Sequence, residues 1–134
     1  MFGIIIDWEK IGKCSTEDKD KLLIYIEQLL LLKNNFVQEG IYCFKGYLQK
    51  HEDEFESIAI DLVCQGCMPN IVSEILSNLL QSTCLTDIQY LKNILFAMFI
   101  LMLQKGSFST YDMKRILISY LGLEYSHYML TENL

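Results

Sequence analysis

Apolar residues recur at helical spacing along most of the chain, and glycines or polar residues separate one apolar run from the next. The first run follows Ser15-Thr16-Glu17-Asp18, where a hydroxyl and acidic side chains are typical of a helix N-terminus. Its apolar positions then keep a helical period: Leu22, Leu23, Ile26, Leu29 and Leu30. Residues 29–32 are four consecutive leucines. A helix that is apolar on more than one side is expected to lie centrally or at an interface.

Residues 40–80 are predicted to form three shorter helices with turns between them. Gly40 interrupts the first long helix, and a short amphipathic run follows it. A polar turn at residues 51–54 then leads to a second apolar face that ends at Gly66. Glycine is a common helix stop because it adopts the left-handed conformation at little cost. Pro69 suits the first turn of the next helix, where its missing N–H is not needed.

The second half of the chain repeats these signals. Thr86-Asp87-Ile88-Gln89 is a capping-box sequence. The helix that it begins contains ten consecutive apolar residues, Ile94 to Leu103, and is predicted to end at Gly106. Ser109 begins another helix, which we expect to end at Gly122, and the tail from Tyr125 to Leu130 is a further short helical candidate.

These patterns predict an all-α fold, a compact bundle of about five or six helices in one domain spanning residues 1–134. We divide it into an N-terminal arm (1–14), a first helical half (15–80) and a second helical half (86–134). Phe2 to Ile6 are consistent with a short strand or a buried arm. Two helix–glycine turn–helix hairpins, at Gly66 and Gly106, have similar spacing and are a candidate internal repeat.

Composition limits the class of partner. The chain has 134 residues and a net charge of −6, so phosphate-rich nucleic acid and an anionic membrane surface are not expected partners. The run from Ile94 to Leu103 is shorter than the roughly 17–25 residues of a bilayer span. We therefore interpret it as a buried core helix rather than a membrane-touching segment. The start, MFGIII followed by Asp7, lacks the basic leader and cleavage site of a signal peptide.

Cysteine usage predicts a cytoplasmic protein. The five cysteines are odd in number and are not spaced as a disulfide framework, which is typical of free thiols in a reducing compartment. Cys64-Gln65-Gly66-Cys67 is a CxxC motif, but no βαβ pattern precedes it and its surroundings are acidic. A zinc site would require two more ligands in register. Two ordinary cysteines beside a turn are thus the preferred interpretation, with zinc and redox roles as alternatives.

No catalytic or cofactor site is predicted. His51 lies among acidic residues in a polar turn, and consecutive acids point in different directions rather than converging on a metal. Cys64, Cys67 and His51 are the nearest candidates for metal ligands, although we expect none of them to bind one. The chain contains no GxSxG, HExxH, Walker A or GxGxxG sequence, which argues against an enzyme.

The stretch around Gly40, Gly66 and Pro69 resembles the cytoplasmic segment of the flagellar stator protein MotA, of the MotA/TolQ/ExbB family. That family typically shows E-G-L-L-A-L-E, an acidic linker, a helix similar to L-x-L-V-x-D-G, and then T-D-P-x-x-V-x-x-I-L-E. This chain has Glu39-Gly40-Ile41-Tyr42-Cys43-Phe44, an acidic linker, Ile60-Asp61-Leu62-Val63-Cys64-Gln65-Gly66, and Pro69, Val72, Ile75 and Leu76 in the family's spacing. The resemblance covers about 40 residues, and a looser likeness covers some 30 more.

The departures from the family limit what the resemblance implies. This chain has no predicted membrane helix, so we do not expect it to conduct ions. The family places an arginine and a glutamate around its first glycine as rotor-facing charges, whereas Val37 and Lys45 occupy those positions here. The family's aspartate before the second glycine is Gln65. The resemblance therefore implies a helical scaffold without the torque-generating charges.

Our leading hypothesis is a non-enzymatic, cytoplasmic protein–protein interaction domain, and the resemblance implies a flagellar or membrane-motor assembly as its setting. A protein partner or self-association as a homodimer is expected, because helices that are apolar all round need covering. A second hypothesis is a regulatory module that binds a small ligand or metal in a pocket of the bundle, through Cys64, Cys67, His51 and Cys43. A thiol redox protein that uses the CxxC motif is the third.

Overall fold

The computed structural model describes residues 3–132, and the side chains of residues 3–129. Within this range it contains eight α-helices, one 3-10 turn and no β-strand, which confirms the predicted all-α bundle. The helices are α1 (Trp8–Gly12), α2 (Thr16–Glu39), the 3-10 turn (Gly40–Tyr42), α3 (Cys43–Lys50), α4 (Glu54–Cys64), α5 (Pro69–Ser82), α6 (Asp87–Lys105), α7 (Thr110–Ser119) and α8 (Leu123–Glu132). The predicted number of helices, five or six, was too low because the N-terminal arm and the tail each contain one.

The N-terminal arm contains no strand between residues 3 and 7, so the strand alternative is wrong there; Phe2 lies outside the described residues. The arm is instead fastened by hydrogen bonds to distant helices. The backbone N–H of Ile5 donates to Ser77 Oγ (3.1 Å), and that of Asp7 donates to the Tyr90 hydroxyl (2.8 Å). The Asp7 carboxylate then caps α1 by accepting from the Lys10 N–H at 3.1 Å.

Helix α6 forms the centre of the core. All ten residues from Ile94 to Leu103 are buried, which confirms the predicted core helix. It contacts α1, α2, α4, α5 and α7, so helices from both predicted halves share one core. Among the residues described, none of the helices combines the length and apolarity needed to cross a membrane.

The predicted helix starts are confirmed by their capping bonds. The hydroxyls of Ser15 and Ser109 accept from backbone N–H groups three residues on, at 3.1 Å and 3.0 Å. Thr86 and Gln89 form the expected reciprocal capping box, with bonds of 3.3 Å and 3.4 Å. Pro69 lies in the first turn of α5, as predicted. These caps satisfy backbone N–H groups that have no partner within a helix.

Glycine ends the helices at the predicted turns. Gly66 has φ +79°, and its N–H donates to the Val63 carbonyl while the Cys67 N–H donates to the Leu62 carbonyl. This pair of bonds is a Schellman motif, which requires a left-handed residue. Gly106 ends α6 with φ +73°, and Gly40 ends α2 with φ +64° before the 3-10 turn. The helices on either side of Gly66, and those on either side of Gly106, contact each other. Their origin as a repeat stays a prediction.

Helix α2 is apolar on more than one side, as its leucine run predicted. It buries Leu22, Ile26, Leu29 and Leu30 against α6 and α7, but it leaves Ile24 and Leu31 more than half exposed. These two residues are seven apart and therefore share one face of the helix.

Candidate functional site

The candidate metal ligands do not converge in the structure. His51 and Cys43 line a cleft between α2 and α3, whereas Cys64 lines a different groove between α3 and α4. The His51 ring stacks on Tyr47 with a centroid separation of 4.2 Å, and its Nδ1 lies 3.1 Å from the Tyr47 carbonyl oxygen. In the described part of the chain, no three histidine, cysteine or acidic side chains form a group suited to a metal ion.

The CxxC motif lies at the end of α4, inside the turn that Gly66 forms. Cys64 is exposed, Cys67 is half-buried, and both are free thiols. Partial desolvation and the charge of Asp61 raise the pKa of Cys64. A raised pKa reduces the thiolate fraction at neutral pH, and the thiolate is the reactive form. The geometry of this motif is thus that of a helix end, and its electrostatics disfavour nucleophilic chemistry.

A buried carboxylate lies at the junction of three helices. Glu56, in the first turn of α4, is only 1% exposed. Its two oxygens accept hydrogen bonds from the Tyr25 hydroxyl of α2 and the Tyr47 hydroxyl of α3, the latter at 2.8 Å and 2.9 Å. Glu56 is three and four residues before the buried Ala59 and Ile60, so its helical register already placed it on the inner face.

Two further charged residues complete this polar junction. The Asp53 carboxylate caps α4 by accepting from the Glu56 N–H at 2.9 Å, and its other oxygen lies 3.5 Å from Lys92 Nζ of α6. Lys92 Nζ also lies over the Tyr25 ring, 5.1 Å from its centroid. Burial and the negative charge of Glu56 raise the pKa of both Tyr25 and Tyr47, so both remain donors at neutral pH.

The polar junction fixes the relative positions of α3 and α4. Hydrogen bonds to a charged group contribute roughly 1.5–3 kcal/mol each, and a buried carboxylate without donors is strongly destabilising. Glu56 is enclosed by the tyrosines rather than presented to solvent, so we assign it a structural role. Its hydrogen bond to Tyr47 joins α4 to α3, and a space is left between these two helices.

That space is an open apolar groove of about 640 Å³. The 3-10 turn and α3 form one wall and α4 forms the other. Phe44 and Ile60, both 2% exposed, contribute to its lining. Three large apolar side chains that line it are markedly exposed: Ile41 (47%), Tyr42 (83%) and Ile58 (42%). We call this feature the α3–α4 groove.

The α3–α4 groove has few charged residues, and those of opposite sign lie on opposite walls. Lys45 lies on the α3 wall and Asp61 on the α4 wall, and they are the two formally charged residues that line it. Neither has a salt-bridge partner among the ion pairs of the described residues. The groove can therefore bury apolar surface and offer one charge of each sign at its edges.

A second, more polar cleft of about 440 Å³ lies between α2 and α3. Its lining includes Glu39, Lys50 and His51 together with the buried Cys43 and Tyr47. This cleft is the place where the hypothesis of a small ligand has its best support, since polar groups and an aromatic ring face one space.

Comparison with protein-family models, with characterised proteins and with solved structures gave no match to this chain. What the protein does must therefore be inferred from its own geometry.

Proposed function

We propose that this chain is a non-enzymatic protein–protein interaction domain that binds a helical segment of another protein in the α3–α4 groove. The observation that carries this proposal is the groove itself, whose lining includes Ile41, Tyr42 and Ile58 as large side chains still open to solvent. A groove between two helices is the surface into which a third amphipathic helix packs its apolar face. Such binding would cover side chains that the bundle leaves exposed.

The polar junction is a second observation in favour of the proposal. Glu56 bonds to Tyr47 of α3 and to Tyr25 of α2, so α4 is held to its neighbours by hydrogen bonds. A binding surface whose walls are fixed before the partner arrives loses less entropy on binding.

Site-specific photocrosslinking tests the proposal. A photoreactive phenylalanine analogue is placed at Ile58 on the groove wall, and in a matched variant at Ile71 on α5, which is 48% exposed and does not line the groove. Both variants are expressed in cells of the source organism and irradiated. We expect one identified protein to be crosslinked at position 58 and not at position 71.

The mass of the product distinguishes the partners. A product of about twice the 15.6 kDa of the chain would identify a homodimer, the second form of association that we consider. Equal labelling at both positions, or none at either, would contradict the groove as the interaction site.

A connection with a flagellar or membrane-motor assembly is the finer form of this proposal, and it rests on the resemblance to the MotA segment. Gly66 and Pro69 lie at the end of one helix and the start of the next, which is consistent with a shared helical scaffold. Val37 is exposed and Lys45 lines the groove, so the positions of the family's rotor-facing charges hold residues of a different kind. Deleting the gene for this chain should then change motility. Normal swimming speed and normal motor switching in the deletion strain would oppose the connection with a motor.

The second candidate is a regulatory module that binds a small ligand or metal in the α2–α3 cleft. Cys43 and His51 share that cleft with Glu39, which is the observation in its favour. Cys64 lines the α3–α4 groove instead, and Cys67 lines neither space. Elemental analysis of protein purified without chelator, with thermal-shift titrations of zinc and iron, tests it. No bound metal and no shift would remove the metal form of this candidate.

The thiol redox hypothesis has less support from the site. The pKa of Cys64 is raised rather than lowered, whereas redox motifs depend on a lowered pKa. If the alkylation rate of Cys64 and Cys67, measured against pH, had a midpoint well below about 8.5, the redox hypothesis would regain support.

A further inference from the structure

The charge of the chain is strongly uneven along its length. Residues 51–91, which include α4 and α5, contain seven acidic residues and no lysine or arginine. This segment therefore carries −7, and because the whole chain carries −6, the remaining residues carry +1. One wall of the α3–α4 groove thus belongs to a continuous acidic segment.

The acidic side chains of α4 lie beside its exposed apolar residue. Glu54, Ile58 and Asp61 are spaced four and then three residues apart, so they share one face of the helix, and all three are exposed. A helix that packs on Ile58 would place its own flanking residues near these two carboxylates. Basic flanking residues would be attracted there, and acidic ones repelled.

A second copy of this chain is a poor match in charge if it docks through α2. Its long helix α2 exposes Ile24 and Leu31, but α2 contains five acidic residues and three lysines. Docking α2 in the groove would bring one acidic helix against another. The charge of α2 therefore favours a different protein over self-association through that helix.

We propose that the partner segment is a basic amphipathic helix, with its apolar face on Ile58 and lysines or arginines on the edge that faces α4. This inference rests on the proposed function and specifies the chemistry of the partner. Helix α4 has eleven residues and is about 16 Å long at 1.5 Å per residue. The groove therefore suits about three turns of partner helix, with apolar anchors at positions i, i+4 and i+7.

Two designed peptides test the sign of the charge. Both have leucines at the same helical positions, and they differ only on the edge that faces α4, which carries lysine in one peptide and glutamate in the other. Affinities are measured by fluorescence anisotropy with the intact chain at low salt and at 1 M salt. We expect the lysine peptide to bind at least fivefold more tightly at low salt. At 1 M the advantage should largely vanish because the Debye length is about 3 Å.

Matched variants locate the binding. Ile58→Gln should weaken the lysine peptide by about threefold to tenfold, since it removes apolar contact without changing charge, while Ile71→Gln should leave it unchanged. Asp61→Lys and Glu74→Lys alter the net charge equally, but only Asp61 lines the groove. We expect Asp61→Lys to weaken binding of the lysine peptide several-fold more than Glu74→Lys does. Circular dichroism confirms that each variant is folded.

The outcomes separate this inference from the proposed function. Equal binding of both peptides, or tighter binding of the glutamate peptide, with loss in Ile58→Gln, would overturn the basic partner and leave the groove as a binding site. Binding that Asp61→Lys and Glu74→Lys weaken equally would show general charge attraction and would also overturn it. If neither peptide binds, the inference fails, and crosslinking at position 58 decides the proposed function by itself.

Discussion

The polar junction makes a quantitative prediction for the change Tyr47→Phe. The Tyr47 hydroxyl donates to both oxygens of a carboxylate that is only 1% exposed, at 2.8 Å and 2.9 Å. Removing this donor leaves Glu56 with the Tyr25 hydroxyl as its remaining side-chain donor. A hydrogen bond to a charged group contributes about 1.5–3 kcal/mol, so we expect Tyr47→Phe to lower the free energy of unfolding by that amount.

Urea denaturation followed by circular dichroism measures this loss. For a small protein the slope is about 1–3 kcal/mol per molar urea, so the midpoint should fall by roughly 1 M. Removing both donors, in Tyr25→Phe with Tyr47→Phe, leaves the buried charge without either hydroxyl and should cost about 3–5 kcal/mol. A domain with a total stability of about 5–15 kcal/mol would then be close to unfolding.

Tyr42→Phe is the matched control because it removes the same hydroxyl group from a side chain that is 83% exposed. Surface changes of this kind stay within about 0.5 kcal/mol. If Tyr47→Phe were as mild as Tyr42→Phe, the hydrogen bonds to Glu56 would not stabilise the bundle, and our account of how the groove walls are held would be refuted.

Three further predictions concern alkali, the turns and the thiols. Burial and the charge of Glu56 raise the pKa of Tyr47 in the folded state, so its stabilising effect is complete below the unfolded value of about 10 and is lost as pH rises above it. The free energy of unfolding, measured from roughly pH 9 to pH 11, should therefore fall more steeply with pH in the wild type than in Tyr47→Phe. Equal slopes in the two proteins would contradict this expectation. Gly106→Ala places a side chain at φ +73° and should destabilise by about 1 kcal/mol. Gly46 lies inside α3 with open space around it, so Gly46→Ala should stabilise the protein by about 0.5–1 kcal/mol. Chemical denaturation measures the stability change in both variants. If both changes had the same sign, the assignment of Gly106 as a left-handed helix stop would be opposed. Native alkylation read by mass spectrometry should modify the exposed Cys64 and Cys84 before the buried Cys14 and Cys43, and early labelling of Cys43 would contradict the packing.

The helical framework was predictable because its signals are local. Ser15, Thr86 and Ser109 cap helices through bonds to residues three positions away, and the glycine stops act within one turn. The burial of Ile94 to Leu103 followed from ten apolar residues in succession. Helix α1 was missed because its five residues are too few to show a period.

The polar junction and the groove depend on contacts between distant residues. Glu56 bonds to Tyr25, 31 positions earlier, so the partner that makes its burial acceptable is not visible within α4. Its register on the inner face was visible, but a carboxylate beside three other acids is ordinarily solvated. The groove lies between α3, which packs on α2, and α4, which packs on α6, and Glu56 joins α4 to α3; none of these contacts is visible within either helix alone.

The most direct test of the groove as a binding site uses the isoleucine methyl groups as reporters. Ile41, Ile58 and Ile60 line the α3–α4 groove, whereas Ile24 and Ile71 are exposed elsewhere. In methyl-labelled protein titrated with the lysine-flanked helix, we predict nuclear magnetic resonance shifts at Ile41, Ile58 and Ile60 and none at Ile24 or Ile71. Shifts confined to Ile24 or Ile71 would contradict the groove as the binding site, and no shifts at any of the five would overturn the basic partner helix.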